Sequence, residues 1–416
     1  MNAIFFCMVL ISFLFAAYRQ FTFIAPVNEV VKAPMDALGA AMIDTAGSAV
    51  ELAIGLIGVM TLFLGLMKVA EAGGLLKIIA KLVRPIMVRL FPDVPAEHPA
   101  MGAMIMNISA NALGLGNAAT PFGIRAMQEL DKINTEKGTA TNAMVLFLAI
   151  NTSAVTLLPT GVIAIRAAAG SNNPAGILPT TLFATFCSTI VAIIAAKLYQ
   201  RFSPGPKTEI PKKASGTRIE WASIIAIVLI LTFIPLTILY GKTISPWIIP
   251  GLMMGLLAFG FFRKVPVYEC FVEGAKDGFN VALKIIPYLV AILVAVSMFR
   301  TSGAMDLIIT PLSKFTSLIG LPADALPMAI LRPLSGSGAY GILASIIQNP
   351  AIGPDSYTGY LVSTFQGATE TTFYVLAVYF GSVQIKKIRH GLAAALTADI
   401  AGILSAVFIC MLLYGN

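Results

Sequence analysis

PAMGAMIMNISANALGLGNAATPFGIRAMQEL (residues 99–130) and ALPMAILRPLSGSGAYGILASIIQN (residues 325–349) decide how this chain folds. Each is apolar at both ends and small and polar in the middle. Ser109, Asn111, Gly114, Gly116 and Asn117 fill the first centre; Ser335, Gly336, Ser337 and Gly338 fill the second. At membrane depth, non-helical backbone survives only where protein covers it or where it lines a cavity. Two half-helices that turn back at a Gly-rich tip meet that condition. A single kinked spanning helix with a small-residue packing face meets it as well.

The rest of the chain supplies the membrane. Of 416 residues, 57% are hydrophobic and 12% charged, with a mean hydropathy of +0.86. Soluble chains carry about twice that charged fraction. Apolar runs of about twenty residues, enough to cross about 30 Å of hydrocarbon as a helix, cover roughly 48–70, 141–168, 177–200, 221–240, 246–262, 279–299, 358–381 and 391–414. Residues 1–18 are apolar without a basic leader segment and read as a retained first helix. The composition excludes a disulfide scaffold, a disordered chain and a coiled coil. Four scattered cysteines and two histidines leave no metal-ligand spacing. The net charge of +8 comes from Lys and Arg at the ends of apolar runs. There it marks the cytoplasmic face rather than nucleic-acid binding.

Those basic residues favour the hairpin. The linker 201–220 carries Arg201, Lys207, Lys212, Lys213 and Arg218 and falls inside. Counting spans outward puts Lys386, Lys387 and Arg389 inside and the acidic loop 349–359 outside. GLLKIIAKLVRPIMVRLF (74–91), with Lys77, Lys81, Arg84 and Arg89 three to five residues apart, reads as an interfacial helix. It stays inside only if 99–130 turns back; a single span would put its four cations outside. The weaker amphipathic stretch 304–320 holds the same place in the second half.

The order of elements then recurs: a span, an interfacial helix after a glycine, a hairpin after prolines, a polar-interrupted span, a final span. The expected fold is an all-α polytopic membrane protein of two inverted repeats, each with an interfacial helix, a re-entrant hairpin and an interrupted transmembrane helix. That makes about nine spans of bilayer length plus two hairpins. Residues 1–200 and 221–416 are expected to form the repeats and 201–220 a basic cytoplasmic linker, with the N-terminus inside and the C-terminus outside.

Inverted repeats with broken helices place a polar site near the midplane, so four clusters are expected to converge. They are Asn107, Ser109, Asn111 and Asn117; Asn151, Thr152 and Ser153 ahead of Pro159; Arg332, Ser335 and Ser337; and Gln366, Thr369, Glu370 and Thr371. All are assigned to substrate binding. A mid-span carboxylate costs several kcal/mol unless it is paired, protonated or hydrated, and intramembrane ionisable groups are functional by default. Glu370 therefore carries substrate, ion or proton, with Arg332 as its partner. Asp399, a third of the way into the last span, is a second ion or proton group. Arg166 is read as snorkelling at the outer end of its span, and Glu97 and His98 as a solvated helix start. No catalytic motif occurs, so an enzyme is not expected, nor any cofactor beyond coupling Na+ or H+.

The stretches NISANALGLGNAATPFGIRAMQEL and NTSAVTLLPT resemble the spore maturation protein A family. RPLSGSGAYGI and GATETTFYVLAVYFGSVQIKKIRHGLAAALTADI resemble the spore maturation protein B family. The chain reads as a fusion of the two at the basic linker. Both belong to a group carrying the nucleoside recognition, or Gate, domain, which is similar to parts of concentrative nucleoside transporters and of the ferrous iron transporter. The resemblance implies that hairpin tips and unwound helices hold a solute while a core moves against a scaffold. The expected function is alternating-access transport of a small polar solute, nucleoside-like or another metabolite. The alternatives are a flippase or handling protein for an envelope lipid or precursor, and a non-transporting envelope-assembly scaffold. Expected partners are that solute or precursor, membrane lipids and a second copy of the chain, with helices 1–18 and 221–262 free to pair.

Overall fold

The computed structural model describes residues 2–24, 32–114, 116–154, 156–206, 247 and 249–415. The expected span 221–240, and the linker beyond residue 206, lie outside the described residues. The first half runs α1 (Asn2–Phe21), α2 (Pro34–Ala72), α3 (Leu75–Leu90), α4 (Pro99–Ala112), α5 (Gly116–Lys132), α6 (Asn142–Thr152), α7 (Thr160–Ala168) and α8 (Leu178–Tyr199). The second runs α9 (Ile249–Phe262), α10 (Val267–Thr301), α11 (Ala304–Thr316), α12 (Leu326–Leu331), α13 (Gly336–Ile347), α14 (Tyr357–Ala368), α15 (Thr372–Gly381) and α16 (Gly391–Tyr414).

The same local chemistry ends corresponding elements. α2 stops at Gly73-Gly74 and α10 at Ser302-Gly303, and Gly74 and Gly303 both take φ +84°. That left-handed conformation suits a residue without a Cβ; after Gly74 the chain bends by 71° into the amphipathic α3. Pro99 opens α4 behind His98, whose ring accepts a bond from the Ala100 N–H. Pro327 lies in the first turn of α12. Thr141 caps α6 and Ser356 caps α14 by accepting from backbone N–H groups three residues on. α6 ends before 153–159, where Pro159 cannot continue a helical ladder, and α14 ends before the short segment 369–371.

α2 and α10 are longer than the apolar runs 48–70 and 279–299. Their antiparallel packing continues past the hydrophobic window, from Thr45 Oγ1 on Ser297 Oγ (2.9 Å) to Lys68 beside Glu273 (3.8 Å). A hydropathy window cannot see that continuation. By length and composition α8, with its leading turn from Pro174, and α16 qualify as membrane spans, and two bent helix pairs raise the number to four among the described residues.

The two broken helices lie side by side and run in opposite directions. At one end, loop 133–141 meets loop 382–390: Lys386 and Lys387 donate from their backbone N–H groups to Gly138 O. At the other end, loop 169–174 meets loop 349–356, where the Asn172 N–H donates to Asp355 Oδ2 at 2.7 Å. α6–α7 therefore runs from the first loop pair to the second, and α14–α15 runs back. α8 and α16 are likewise antiparallel and packed together, and α6 and α14 each touch both of them. Two apolar cores result. One holds Val162, Ile163, Leu361, Phe365 and Ile409; the other holds Phe147, Ile150, Leu376, Phe380 and Ala398. The helix breaks fall between them.

Candidate functional site

The two breaks touch. The Glu370 N–H donates to Thr152 O at 2.9 Å, joining the unwound segments of opposite halves. Each break also holds the tip of its own hairpin. The Leu157 N–H donates to Ala112 O (2.9 Å) in the first half, and the Phe373 N–H to Pro333 O (3.1 Å) in the second. Both tips rest on glycines. Gly114, at φ +75°, lies so close to Leu158 O that a Cβ would collide with it, and a Cβ on Gly336 would stand 2.7 Å from Thr371 Oγ1.

Polar side chains extend from this crossing. Asn111 Nδ2 donates to Asn151 Oδ1 at 2.9 Å, and the Tyr379 hydroxyl donates to the same oxygen at 3.3 Å. Asn107 Nδ2 donates to Tyr379 Oη (3.0 Å) and to Ala119 O (2.8 Å) across its hairpin. Arg332, 4% exposed, donates to Thr371 Oγ1 (3.0 Å), Gln366 O (3.2 Å) and Thr369 O. Its guanidinium stands 3.6 Å from Glu370, whose side chain remains 41% exposed. On α16, Asp399 accepts from Thr372 Oγ1 at 2.6 Å.

Of the residues assigned from sequence, these contacts bring together Asn107, Asn111, Asn151, Thr152, Arg332, Gln366, Thr369, Glu370 and Thr371, with Asp399 alongside. Other side chains bond locally. Ser109 returns to Ile105 O, Thr152 Oγ1 to Ala149 O, and Ser335 caps α13. Ser153 bonds both Ile150 O and Thr189 Oγ1. The side chains of Asn117 and Ser337 lie outside the described residues.

Two features escaped the sequence reading. Tyr379 looked like one aromatic among several in an apolar run. Helical spacing would have found it, because Thr372, Val375, Leu376 and Tyr379 share the buried face while Tyr374 is exposed. Arg166 corrects the expectation of snorkelling: it is fully buried. It pairs with Asp355 at 2.9 Å, donates to Pro354 O and Ser363 Oγ, and lies 4.2 Å over the Tyr360 ring. Because the two halves meet loop to loop there, it has no path to water. Glu97 is exposed and paired with Arg84 at 2.6 Å. A cavity of about 360 Å³ lies apart from the crossing, lined by Asp44, Thr45, Arg300, Gln348 and Asn349 among others.

These elements define an all-helical membrane protein whose broken helices and hairpin tips gather polar groups between two apolar cores. A family model described as nucleoside recognition, Gate, matches residues 53–169 and 282–386, more than half of the chain, which belongs to that family. The chain is 48% identical over 168 residues to spore maturation protein B of Bacillus subtilis strain 168, covering 40% of this chain and 93% of that protein. It is 46% identical over 159 residues to spore maturation protein A of the same organism, covering 38% and 81%. A fusion of an A-like and a B-like protein accounts for both matches.

Proposed function

We propose that the chain is an inner-membrane secondary transporter of a small polar solute, nucleoside-like or another metabolite. It works by alternating access between two inverted repeats, 1–200 and 221–416, joined by a basic cytoplasmic linker at 201–220. The observation that carries this reading is the crossing of the breaks through Glu370 and Thr152. Irregular backbone offers N–H and C=O groups to a solute only where protein encloses it, and inverted repeats meet at such a place. The antiparallel course of α2 against α10, α6–α7 against α14–α15 and α8 against α16 supports the inversion. The basic loops 133–141 and 382–390 support a cytoplasmic position for that end, and the proposed orientation has the N-terminus inside and the C-terminus outside. Glu370, half-exposed beside Arg332, is the group a solute meets first, and a coupling ion completes the cycle.

The closely packed tips favour one rival, a non-transporting envelope scaffold. Reconstituted full-length protein, offered labelled nucleosides and other polar metabolites in counterflow, separates the two. A transporter exchanges at least one solute class and raises its melting temperature with it, and Glu370→Gln loses both effects while staying folded. Wild-type protein that exchanges none of them, or a Glu370→Gln variant that responds fully, rejects the reading.

A further inference from the structure

The buried polar groups at the crossing are not equally satisfied. Asp399 is 2% exposed. One carboxylate oxygen takes the Thr372 hydroxyl, and the other, Oδ1, has no hydrogen-bond partner. Among the described residues no cationic side chain lies within salt-bridge distance of it. Glu370 differs on both counts, having Arg332 beside it and access to the outside.

The titratable groups on the elements packed against α16 are Cys187, Lys197 and Tyr199 on α8, Tyr357 and Tyr360 on α14, and Tyr374 and Tyr379 on α15; α6 offers none. Arg332 and Glu370 stand at the neighbouring break. None of these is hydrogen-bonded to Asp399 in the contacts described above.

A metal cation at Asp399 would need a shell of several oxygens. At the neighbouring break, Gln366 O and Thr369 O already accept from the Arg332 guanidinium. That fixed positive charge also repels a second cation. A proton needs neither a shell nor displacement of Arg332. It needs one free carboxylate oxygen, which Oδ1 supplies. Thr372 is the first residue of α15, so the positive end of that helix faces the carboxylate and eases the charged form when the proton leaves. Thr372 also begins at the break, where Gly402 of α16 leaves room for Thr369 (a Cβ there would stand 2.7 Å from its Cγ2). The protonation state of Asp399 therefore acts directly on the break segment 369–371 through Thr372.

We propose that Asp399 is the proton carrier of this protein and that its coupling ion is H+, not Na+. The proposal rests on the transport reading above. In each cycle the proton arrives from water on one face and binds Asp399 Oδ1. It returns to water on the other face, and no other group is oxidised, reduced or transferred.

Infrared spectroscopy of the full chain in lipid bilayers, titrated across neutral pH, reads the carboxyl proton without any solute. The C=O stretch of a protonated carboxyl is expected in wild-type protein and in Glu370→Gln and absent from Asp399→Asn. Thr372→Val, which removes only the donor, is expected to shift the band; this keeps the proposal falsifiable where Asp399→Asn fails to fold. A band that survives Asp399→Asn, vanishes in Glu370→Gln or is unmoved by Thr372→Val overturns it. In liposomes holding a pH dye, solute-driven proton flux is expected to be unchanged when choline replaces Na+, and a sodium requirement overturns it. A correct band in protein that moves no solute rejects the transport reading and leaves the protonated carboxyl standing.

Discussion

At the residue scale, two arginines of similar sequence context proved different. Both sit in largely apolar segments, yet Arg332 neighbours a Gly/Ser run and Arg166 neighbours nothing polar until Ser171. The first was assigned to the site for that reason, and its guanidinium stands at the crossing of the breaks. The second was not, because its partner Asp355 lies 189 residues away in the other half of the chain, and pairing over such a separation leaves no trace in local composition. Removing one member of a buried ion pair strands the other, at about 3–5 kcal/mol. Arg166→Met is therefore expected to lower unfolding stability in detergent by about 3 kcal/mol. Asp355→Asn should cost less, since that side chain is 27% exposed. Equal and negligible losses would show that the pair does not hold the loops. His390, at the start of α16, offers a pH test. Burial, and then the neighbouring Arg389 charge, push it down from 6.5 to about 4. The unfolded chain takes up this proton near pH 6.5 and the folded chain only near pH 4, so its contribution is complete above 6.5 and is lost as the pH falls towards 4. The melting temperature should drop across that window, and His390→Gln should flatten the drop.

At the element scale, the hairpins and broken helices were readable because their interruptions are chemical. Gly, Ser and Asn runs, a proline, or the polar run Thr369-Glu370-Thr371 stand where helix formers would otherwise continue. The ends of α2 and α10 were misjudged because hydropathy reports what faces lipid, whereas a helix ends where its hydrogen-bond ladder ends. The contact of tip and break could not be read from either segment alone, since it is made by backbone N–H and C=O groups that every residue owns. It does make Gly114 testable. A side chain there meets both the positive φ and the Leu158 carbonyl, so Gly114→Ala should cost at least about 1–2 kcal/mol. It should also weaken any solute response more than Gly102→Ala, which places its Cβ in open space within α4. Equal effects at the two glycines would detach the tip from the site.

At the scale of the whole molecule, the repeated order of elements was visible in sequence, while the way the halves interlock was not. Each broken helix runs between the same two loop pairs, and the apolar cores draw residues from both halves. The halves consequently depend on each other, and separating the chain near residue 200 should leave neither with a complete core. Co-expressed halves are expected to co-purify, and either half expressed alone should aggregate or be degraded. The antiparallel crossing also fixes which loops share a face. In a chain whose four cysteines are replaced by serine, Asn172→Cys and Lys386→Cys place thiols at exposed positions beside the two loop pairs. A membrane-impermeant maleimide should label Asn172→Cys in intact cells and Lys386→Cys only after the membrane is opened. Labelling of both from the same side would contradict two broken helices crossing in opposite directions within the bilayer.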